Sequence, residues 1–226
     1  MRKIVPRELK ILSTKILPPD LKEELASFTL IEMEVIRMER KVTREQAFLH
    51  FLHQENRHNK PSLVVTSKNA LPSLVKVEGD PFDQLFCVGE KTAGLLEEET
   101  PWKANQVAGS ASELIALIPQ HIKEIVYPCS AQRLDVIPEF CKEKGIILHE
   151  FMVYQPVPIA QENSWEADVV CFYSPSGVRA YYSVQPYRGE LTLAIGPTTR
   201  KALENYSTNI IVAGKPSLKG MVEEIM

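Results

Sequence analysis

The sequence repeats itself at a constant spacing of 107 residues. Three separate pieces of a first copy reappear in a second copy: VVTSKNAL as CFYSPSGV, CVGEKTAGLLE as AIGPTTRKALE, and SASELIALI as SLKGMVEEI. Gly89 corresponds to Gly196 and Thr92 to Thr199 by the same step. One offset kept through three pieces indicates a duplicated structural unit. We therefore expect two lobes of similar fold.

Strand-like and helix-like segments alternate along the chain. Short runs rich in Val and Ile have the length of buried strands; they lie at 10–13, 28–36, 62–67, 85–89, 124–128, 146–154, 168–174, 191–196 and 209–214. Amphipathic segments of helical spacing separate most of these runs, which is the pattern of βαβ units and parallel sheets. The segment 43–56 is predicted to be a helix, since Ala47, Phe48, Phe51 and Leu52 have helical spacing.

The order of the pieces predicts how the lobes are built. Each repeat supplies about three strands and is completed by a strand-helix-strand element, at 11–35 and at 125–154. If the inner repeat pairs with the second element, the first element must join the last repeat. This predicts an α/β fold of two similar flavodoxin-like parallel-sheet lobes around a central cleft. Lobe 1 would comprise 1–37 plus 158–226, lobe 2 would comprise 42–153, and the strand-like linkers would be 38–41 and 154–157.

Composition and motifs exclude several classes of function. The formal net charge is -3 and no dense Lys/Arg run occurs, which argues against a nucleic-acid partner. Neither a signal peptide nor an apolar run of about 20 residues is evident, so we expect no membrane partner and a cytoplasmic protein. We also expect a monomer. Dinucleotide and nucleoside-triphosphate loop motifs are missing, and we expect no cofactor.

Cysteine and histidine do not indicate a metal site. The four cysteines lie in or beside apolar runs without a C-x-x-C pair, which predicts buried, reduced thiols. His50, His53 and His58 form a loose cluster that lacks the glutamate of H-E-x-x-H. We interpret them as a solvent-facing helix edge and expect no metal.

Several motifs together resemble one known family. The second half contains FYSPSGVRAYY, LAIGPTTRKAL and GKPSLKGMV, the first half contains weaker copies such as VVTSKNAL and FCVGEKTAGLL, and the second element ends in FMVYQPVP. In this order and spacing they resemble the uroporphyrinogen-III synthases from about residue 10 to the end. The first strand ends in STKILPP where the family commonly has a Thr-Arg-Pro turn, so Lys15 stands in place of the arginine.

The resemblance implies a particular reaction. Enzymes of this family close hydroxymethylbilane, an open tetrapyrrole with eight carboxylate arms, by loss of water and inversion of the terminal ring. Such an enzyme needs donors for carboxylates and a group that helps the hydroxyl to depart. Tyr154 matches the family's cleft tyrosine and is the candidate donor, since a phenol is protonated at neutral pH. Transient contact with the enzyme that makes the bilane is a further expectation.

The candidate substrate-binding residues are polar side chains at strand-to-helix turns. Helix N-termini at the carboxyl ends of parallel strands favour anions. The candidates are Ser67, Thr92, Ser110, Ser130, Ser174, Ser176, Thr198, Thr199 and Ser217, together with Lys15, Arg133 and Lys215. The other interpretation of each Ser and Thr is a helix N-cap, and Tyr154 fits a strand end equally well. Arg179, Arg200 and Lys201 are expected to be solvated charges.

Two other functions fit the same expected fold. One is a two-lobed protein that senses a small anionic ligand without catalysis, because fold does not fix function. The other is a flavodoxin-like FMN protein, which needs a Ser/Thr-rich phosphate loop after its first strand. LSTKILPP is a poor match to such a loop because of its prolines.

Overall fold

The computed structural model describes residues 9–53, 59–159 and 165–225. The chain divides into two compact units, and each is built around one sheet. Unit 1 is formed by Met1–Arg37 with Val157–Met226, and unit 2 by Met38–Pro156.

Unit 1 is a five-stranded sheet with helices. Its strands are β1 (Lys10–Ser13), β2 (Thr29–Glu32), β9 (Val169–Phe172), β10 (Leu191–Ala194) and β11 (Ile210–Val212). Its helices are α1 (Pro19–Glu24), α7 (Pro175–Tyr182), α8 (Pro197–Leu203) and α9 (Leu218–Glu223). The strand order is β11-β10-β9-β1-β2, and every neighbouring pair is parallel.

Unit 2 is a six-stranded sheet of related order. Its strands are β3 (Ile36–Arg40), β4 (Ser62–Val65), β5 (Leu85–Val88), β6 (Gln106–Ala108), β7 (Glu124–Ser130) and β8 (Ile147–Pro158). Its helices are α2 (Val42–Leu52), α3 (Leu71–Leu74), α4 (Glu90–Glu99), α5 (Ala111–Leu117) and α6 (Val136–Lys144), with a 3₁₀ turn at Lys68–Ala70. The strands follow the order β3-β8-β7-β4-β5-β6, and all pairs from β8 to β6 are parallel.

The prediction of an α/β fold with two parallel sheets is confirmed. In unit 1 the order read from β2 to β11 is the flavodoxin-like order 2-1-3-4-5. Pairing of β1 with β9 joins the first element to the last repeat, as the chain order predicted. Unit 2 has the same order in β8-β7-β4-β5-β6, where β7 and β8 take the places that β1 and β2 have in unit 1. These two strands come last along the chain in unit 2 and first in unit 1.

Some local predictions were wrong. The single strand expected over 28–36 is divided, because β2 lies in one sheet and β3, which begins at Ile36, lies in the other. Helix α2 ends at Leu52, Ala47 on it is exposed, and the last residues of the predicted 43–56 segment lie outside the described residues. Strand β6 and helix α3 were not among the predicted segments, because three and four residues are too few to show a period.

Both faces of each sheet are buried, as expected for parallel strands covered by helices. Successive residues of β4 point to opposite faces, so Leu63 and Val65 pack into one apolar cluster and Val64 into another. In β1, Ile11 packs into one apolar cluster of unit 1 and Leu12 into the other.

The predicted buried, reduced cysteines are confirmed. All four thiols are free and buried. Burial raises the pKa of Cys87 and Cys141 to about 11 and that of Cys129 and Cys171 to about 12. At neutral pH these thiols are protonated, so they serve as packing groups rather than nucleophiles.

A buried carboxylate ties three elements of unit 2 together. Glu45 on α2 is only 3% exposed. Arg40 at the end of β3 donates to it at 2.6 Å, Lys76 at 2.5 Å and the Ser73 hydroxyl at 3.1 Å. Burial alone would raise the pKa of Glu45, but these hydrogen bonds hold it below its ordinary value. The network fixes the start of α2 against β3 and α3.

We predict that Glu45→Gln lowers the free energy of unfolding by about 2 kcal/mol at pH 7, since hydrogen bonds to a charged group contribute about 1.5–3 kcal/mol. The pKa of Glu45 is lower in the folded protein than in the unfolded chain. The stability that Glu45 contributes is therefore present above the unfolded-state pKa of about 4.3, and it is lost as the pH falls through the folded-state pKa. Urea unfolding at pH 7 and at pH 4 should show that the difference in free energy of unfolding between wild type and variant is smaller at pH 4.

The matched control is Glu97→Gln. Glu97 forms an exposed pair with Lys103 at 3.6 Å, and such pairs contribute less than about 1 kcal/mol. Equal losses in the two variants would contradict the assignment of Glu45 as a structural carboxylate.

Candidate functional site

Most of the predicted polar site residues follow the carboxyl end of a strand. In an open α/β sheet the strand order reverses at one point, and the loops there diverge and leave room for ligands. That point lies between β1 and β9 in unit 1 and between β7 and β4 in unit 2.

Four predicted serines are helix N-caps. Ser110 accepts a hydrogen bond from the Glu113 amide at 3.2 Å, and Ser174 and Ser217 accept from Gly177 and Gly220 at 3.0 Å. Ser67 accepts from the Asn69 amide at 3.3 Å, at the start of the 3₁₀ turn. The capping interpretation therefore holds for all four. It does not exclude ligand binding, because the cap uses the oxygen as acceptor and leaves the hydroxyl proton to be donated.

The turns of α4 and α8 present threonines in different ways. Gly89 precedes α4 with a φ of 86°, a left-handed conformation that favours glycine, and Thr92 in the first turn is half-buried. On α8, Thr198 is exposed whereas Thr199 is 1% exposed. Of these two neighbours, Thr198 offers its hydroxyl to solvent.

The predicted cations differ in whether they form ion pairs with carboxylates. Arg133 is ion-paired with Glu150, and with Asp135 at 2.7 Å. The hydrogen bond to Glu150 raises the pKa of the Arg133 guanidinium above its ordinary value. By contrast, Lys15 and Lys215 are exposed, and no carboxylate of the described residues lies within 4 Å of either ammonium. Lys15 and Lys215 are therefore the available cations of this set.

Ser130 and Ser176 take part in local turns. Ser130 at the end of β7 accepts from the Gln132 amide at 3.1 Å. Ser176 lies 3.1 Å from the Ser174 hydroxyl, so the two form one polar pair at the start of α7.

Tyr154 lies in β8, where it pairs with Ser130 at the end of β7. It is 5% exposed and packs among the apolar residues on one face of the sheet. Burial raises the pKa of Tyr154, and the half-buried Ser67 side chain acts in the opposite direction. The backbone oxygen of Tyr154 accepts from the Ala131 amide at 3.1 Å, which fixes the β7 turn against β8.

Sequence reasoning missed two tyrosine–hydroxyl pairs at these edges. Tyr127 lies 2.9 Å from Thr66 in unit 2, and Tyr173 lies 2.8 Å from Ser13 in unit 1. Thr66 and Tyr173 correspond by the 107-residue step, so the repeat contained a signal for both. That signal was incomplete, because the partners Ser13 and Tyr127 lie outside the repeated pieces.

Unit 2 also has a surface groove with a mainly apolar lining. The groove has a volume of about 630 Å³ and is lined largely by apolar side chains of α5 and α6, such as Ile115 and Phe140. Of the histidine cluster, His50 and His53 are exposed and His58 lies outside the described residues. Within residues 9–53, 59–159 and 165–225 no group of three potential metal ligands occurs.

A family model for uroporphyrinogen-III synthase HemD matches residues 21–223, which is most of the chain. The chain belongs to the uroporphyrinogen-III synthase family. The expected resemblance is thereby confirmed, and with it an enzyme of the lyase class in tetrapyrrole biosynthesis.

Solved structures of this family have the same fold. Uroporphyrinogen-III synthetase from Helicobacter pylori is 18% identical with a TM-score of 0.66, and the match covers 96% of this chain and 98% of that one. A mutant uroporphyrinogen III synthase from the extremely thermophilic bacterium Thermus thermophilus is 17% identical with a TM-score of 0.64, covering 96% and 97%. At these identities the likeness shows the fold. In the described part of the chain, no helix has the length and apolar character to cross a membrane.

The turn that carries Lys215 and Ser217 depends on a glycine. A Cβ on Gly220 would collide with the Lys215 carbonyl oxygen and lie 3.0 Å from the Lys215 Cβ. Gly94 within α4 has open space at the same position.

We predict opposite effects of two Gly→Ala changes. Gly220→Ala should lower the free energy of unfolding by about 1–3 kcal/mol, because the new methyl group overpacks the turn. Gly94→Ala should raise it by about 0.5–1 kcal/mol, because alanine is the better helix former. Paired urea titrations measure both, and a Gly220→Ala protein as stable as wild type would show that the turn tolerates a side chain.

Proposed function

We propose that this chain converts hydroxymethylbilane to uroporphyrinogen III, and that it acts mainly by holding the flexible substrate in a bent, near-attack shape. Membership of the family supports this function. The observation that carries the mechanism is the set of capped hydroxyls at the carboxyl edges, each with its proton left to donate.

Carboxylate binding follows from this arrangement. A hydrogen bond to a charged group contributes roughly 1.5–3 kcal/mol, so a few hydroxyls, with helix N-termini and the exposed Lys15 and Lys215, would hold several substrate arms. The proposed contacts are Ser67, Thr92, Ser110, Ser130, Ser174, Ser176, Thr198 and Ser217. Thr199 and Arg133 are weaker candidates, because Thr199 is buried and Arg133 is paired with acidic residues.

Holding the substrate addresses the competition that this reaction faces. The bilane closes without an enzyme to the isomer with an uninverted ring. Each ~1.4 kcal/mol by which the enzyme lowers the barrier to the inverted closure shifts the outcome about tenfold. Fixing reacting groups in near-attack geometry supplies effects of this size without a cofactor.

Tyr154 is the proposed donor to the departing hydroxyl. Its raised pKa keeps the phenol protonated throughout the neutral range. The Tyr154 phenol donates its proton to the hydroxyl oxygen as the carbon–oxygen bond breaks and water leaves. The proton that the pyrrole nitrogen loses as the methylene-pyrrolenine forms then restores the phenol.

The first prediction from this function is the isomer that forms. Hydroxymethylbilane generated in situ and mixed with the purified protein should give a dominant III isomer, in a proportion that grows with protein concentration. The products are oxidised and the I and III uroporphyrins are separated by chromatography. A mixture identical to that of the protein-free control would overturn the proposed function.

The second prediction concerns the donor. Tyr154→Phe should lower kcat for the III isomer by about 10²-fold, in the range of a lost general acid.

Tyr206→Phe is the matched control, since Tyr206 stacks on Tyr182 in unit 1 and its hydroxyl has no role in the proposal. Its kcat should equal that of wild type. The ratio of wild-type to Tyr154→Phe kcat should also stay constant from about pH 6 to 9, because the phenol does not ionise there. A Tyr154→Phe enzyme with unchanged kcat would remove the donor role and leave the positioning mechanism in place.

A further inference from the structure

Tyr173 occupies the point of strand-order reversal in unit 1. It follows β9 directly, and its hydroxyl lies 2.8 Å from that of Ser13, the last residue of the neighbouring β1. Ser13 is 1% exposed. Burial raises the pKa of Tyr173 above the ordinary tyrosine value, so its hydroxyl is protonated at neutral pH.

The direction of the hydrogen bonds in this group is determined. The Ser13 hydroxyl lies 2.5 Å from the carbonyl oxygen of Lys15, and a carbonyl can only accept. The single Ser13 proton is therefore donated to Lys15. The Ser13 oxygen must in turn accept the proton of Tyr173. The result is a directed chain from Tyr173 through Ser13 to the backbone of Lys15.

This chain is one of three anchors on the turn between β1 and α1. Thr14 is bound to the Cys171 carbonyl oxygen by its amide at 3.1 Å and by its hydroxyl at 2.7 Å. The Leu17 amide donates to Glu32 at 2.6 Å. The turn is thus held before, at and after Lys15, while the side chains of Lys15 and Ile16 remain exposed.

We infer that Tyr173, acting through Ser13, is a positioning residue that fixes Lys15 to receive a carboxylate of the substrate. This inference rests on the proposed function. Lysine carries a compact charge on a flexible stem and lacks the planar fork of arginine. Fixing the backbone beneath such a side chain reduces the entropy that is lost when it binds an anion. In this chain, Tyr173 and Ser13 supply part of the rigidity that the lysine side chain lacks.

The test is a double-mutant cycle of Tyr173→Phe and Lys15→Met with hydroxymethylbilane. Tyr173→Phe should raise KM about threefold to tenfold and leave kcat within about twofold, because an anchor for a binding group is lost rather than a donor. Lys15→Met should raise KM by at least as much. The double variant should match Lys15→Met, because Tyr173 acts only through Lys15.

Ser13→Ala provides an independent variant, since it removes the middle of the same chain. It should reproduce the KM of Tyr173→Phe, and Tyr206→Phe should leave KM unchanged. Thermal unfolding of every variant separates binding from folding. A Tyr173→Phe protein with a lower Tm but a wild-type KM would assign Tyr173 a purely structural role and overturn the inference.

The remaining outcomes distinguish this inference from the proposed function. If wild type yields the III isomer and the effects of Tyr173→Phe and Lys15→Met on KM multiply, the inference fails while the function stands. If wild type yields only the mixture of the protein-free control, the function fails and the inference fails with it.

Discussion

The rest of each unit depends on one parallel strand pair, which lies where the strand order of its sheet reverses. In unit 1 this is the pairing of β1 with β9, and in unit 2 the pairing of β7 with β4. Right-handed crossovers on either side of such a pair carry the chain to opposite faces of the sheet. The loops that follow the two strands therefore diverge, and polar side chains can occupy the carboxyl edge without covering one another.

The chemistry of these edges comes from the ends of helices. A parallel sheet places helix N-termini, with their unpaired amide groups, next to the strand ends. Serine satisfies one of those amides and keeps a proton to donate, so one residue type serves stability and anion binding together. Tyrosines behind the serines and threonines hold hydroxyl groups in fixed positions, and burial keeps the phenols protonated.

Much of this could be read from the sequence. The strand positions, the alternation with helices, the joining of the first element to the last repeat and the family all followed from residues that are near in sequence or related by one constant step. The serine caps were also predictable, since a cap depends on a residue and the amides two or three positions later. The single strand over 28–36 was wrong, because hydrophobic pattern does not record which of two sheets a segment joins. Strand β6 and helix α3 were missed because they are too short to show a period.

The sequence by itself determined the period of each element and the types of residue at each turn, because both are local properties of the chain. Only the tertiary structure decided which polar groups meet. Ser13 and Tyr173 are 160 residues apart, and Thr66 and Tyr127 are 61 apart, yet each pair is within hydrogen-bonding distance. It also decided that Arg133 is paired with acidic residues, while no carboxylate of the described residues pairs with Lys15. Such contacts depend on strand register and on the packing of side chains between elements, and these are set only when the sheet has formed.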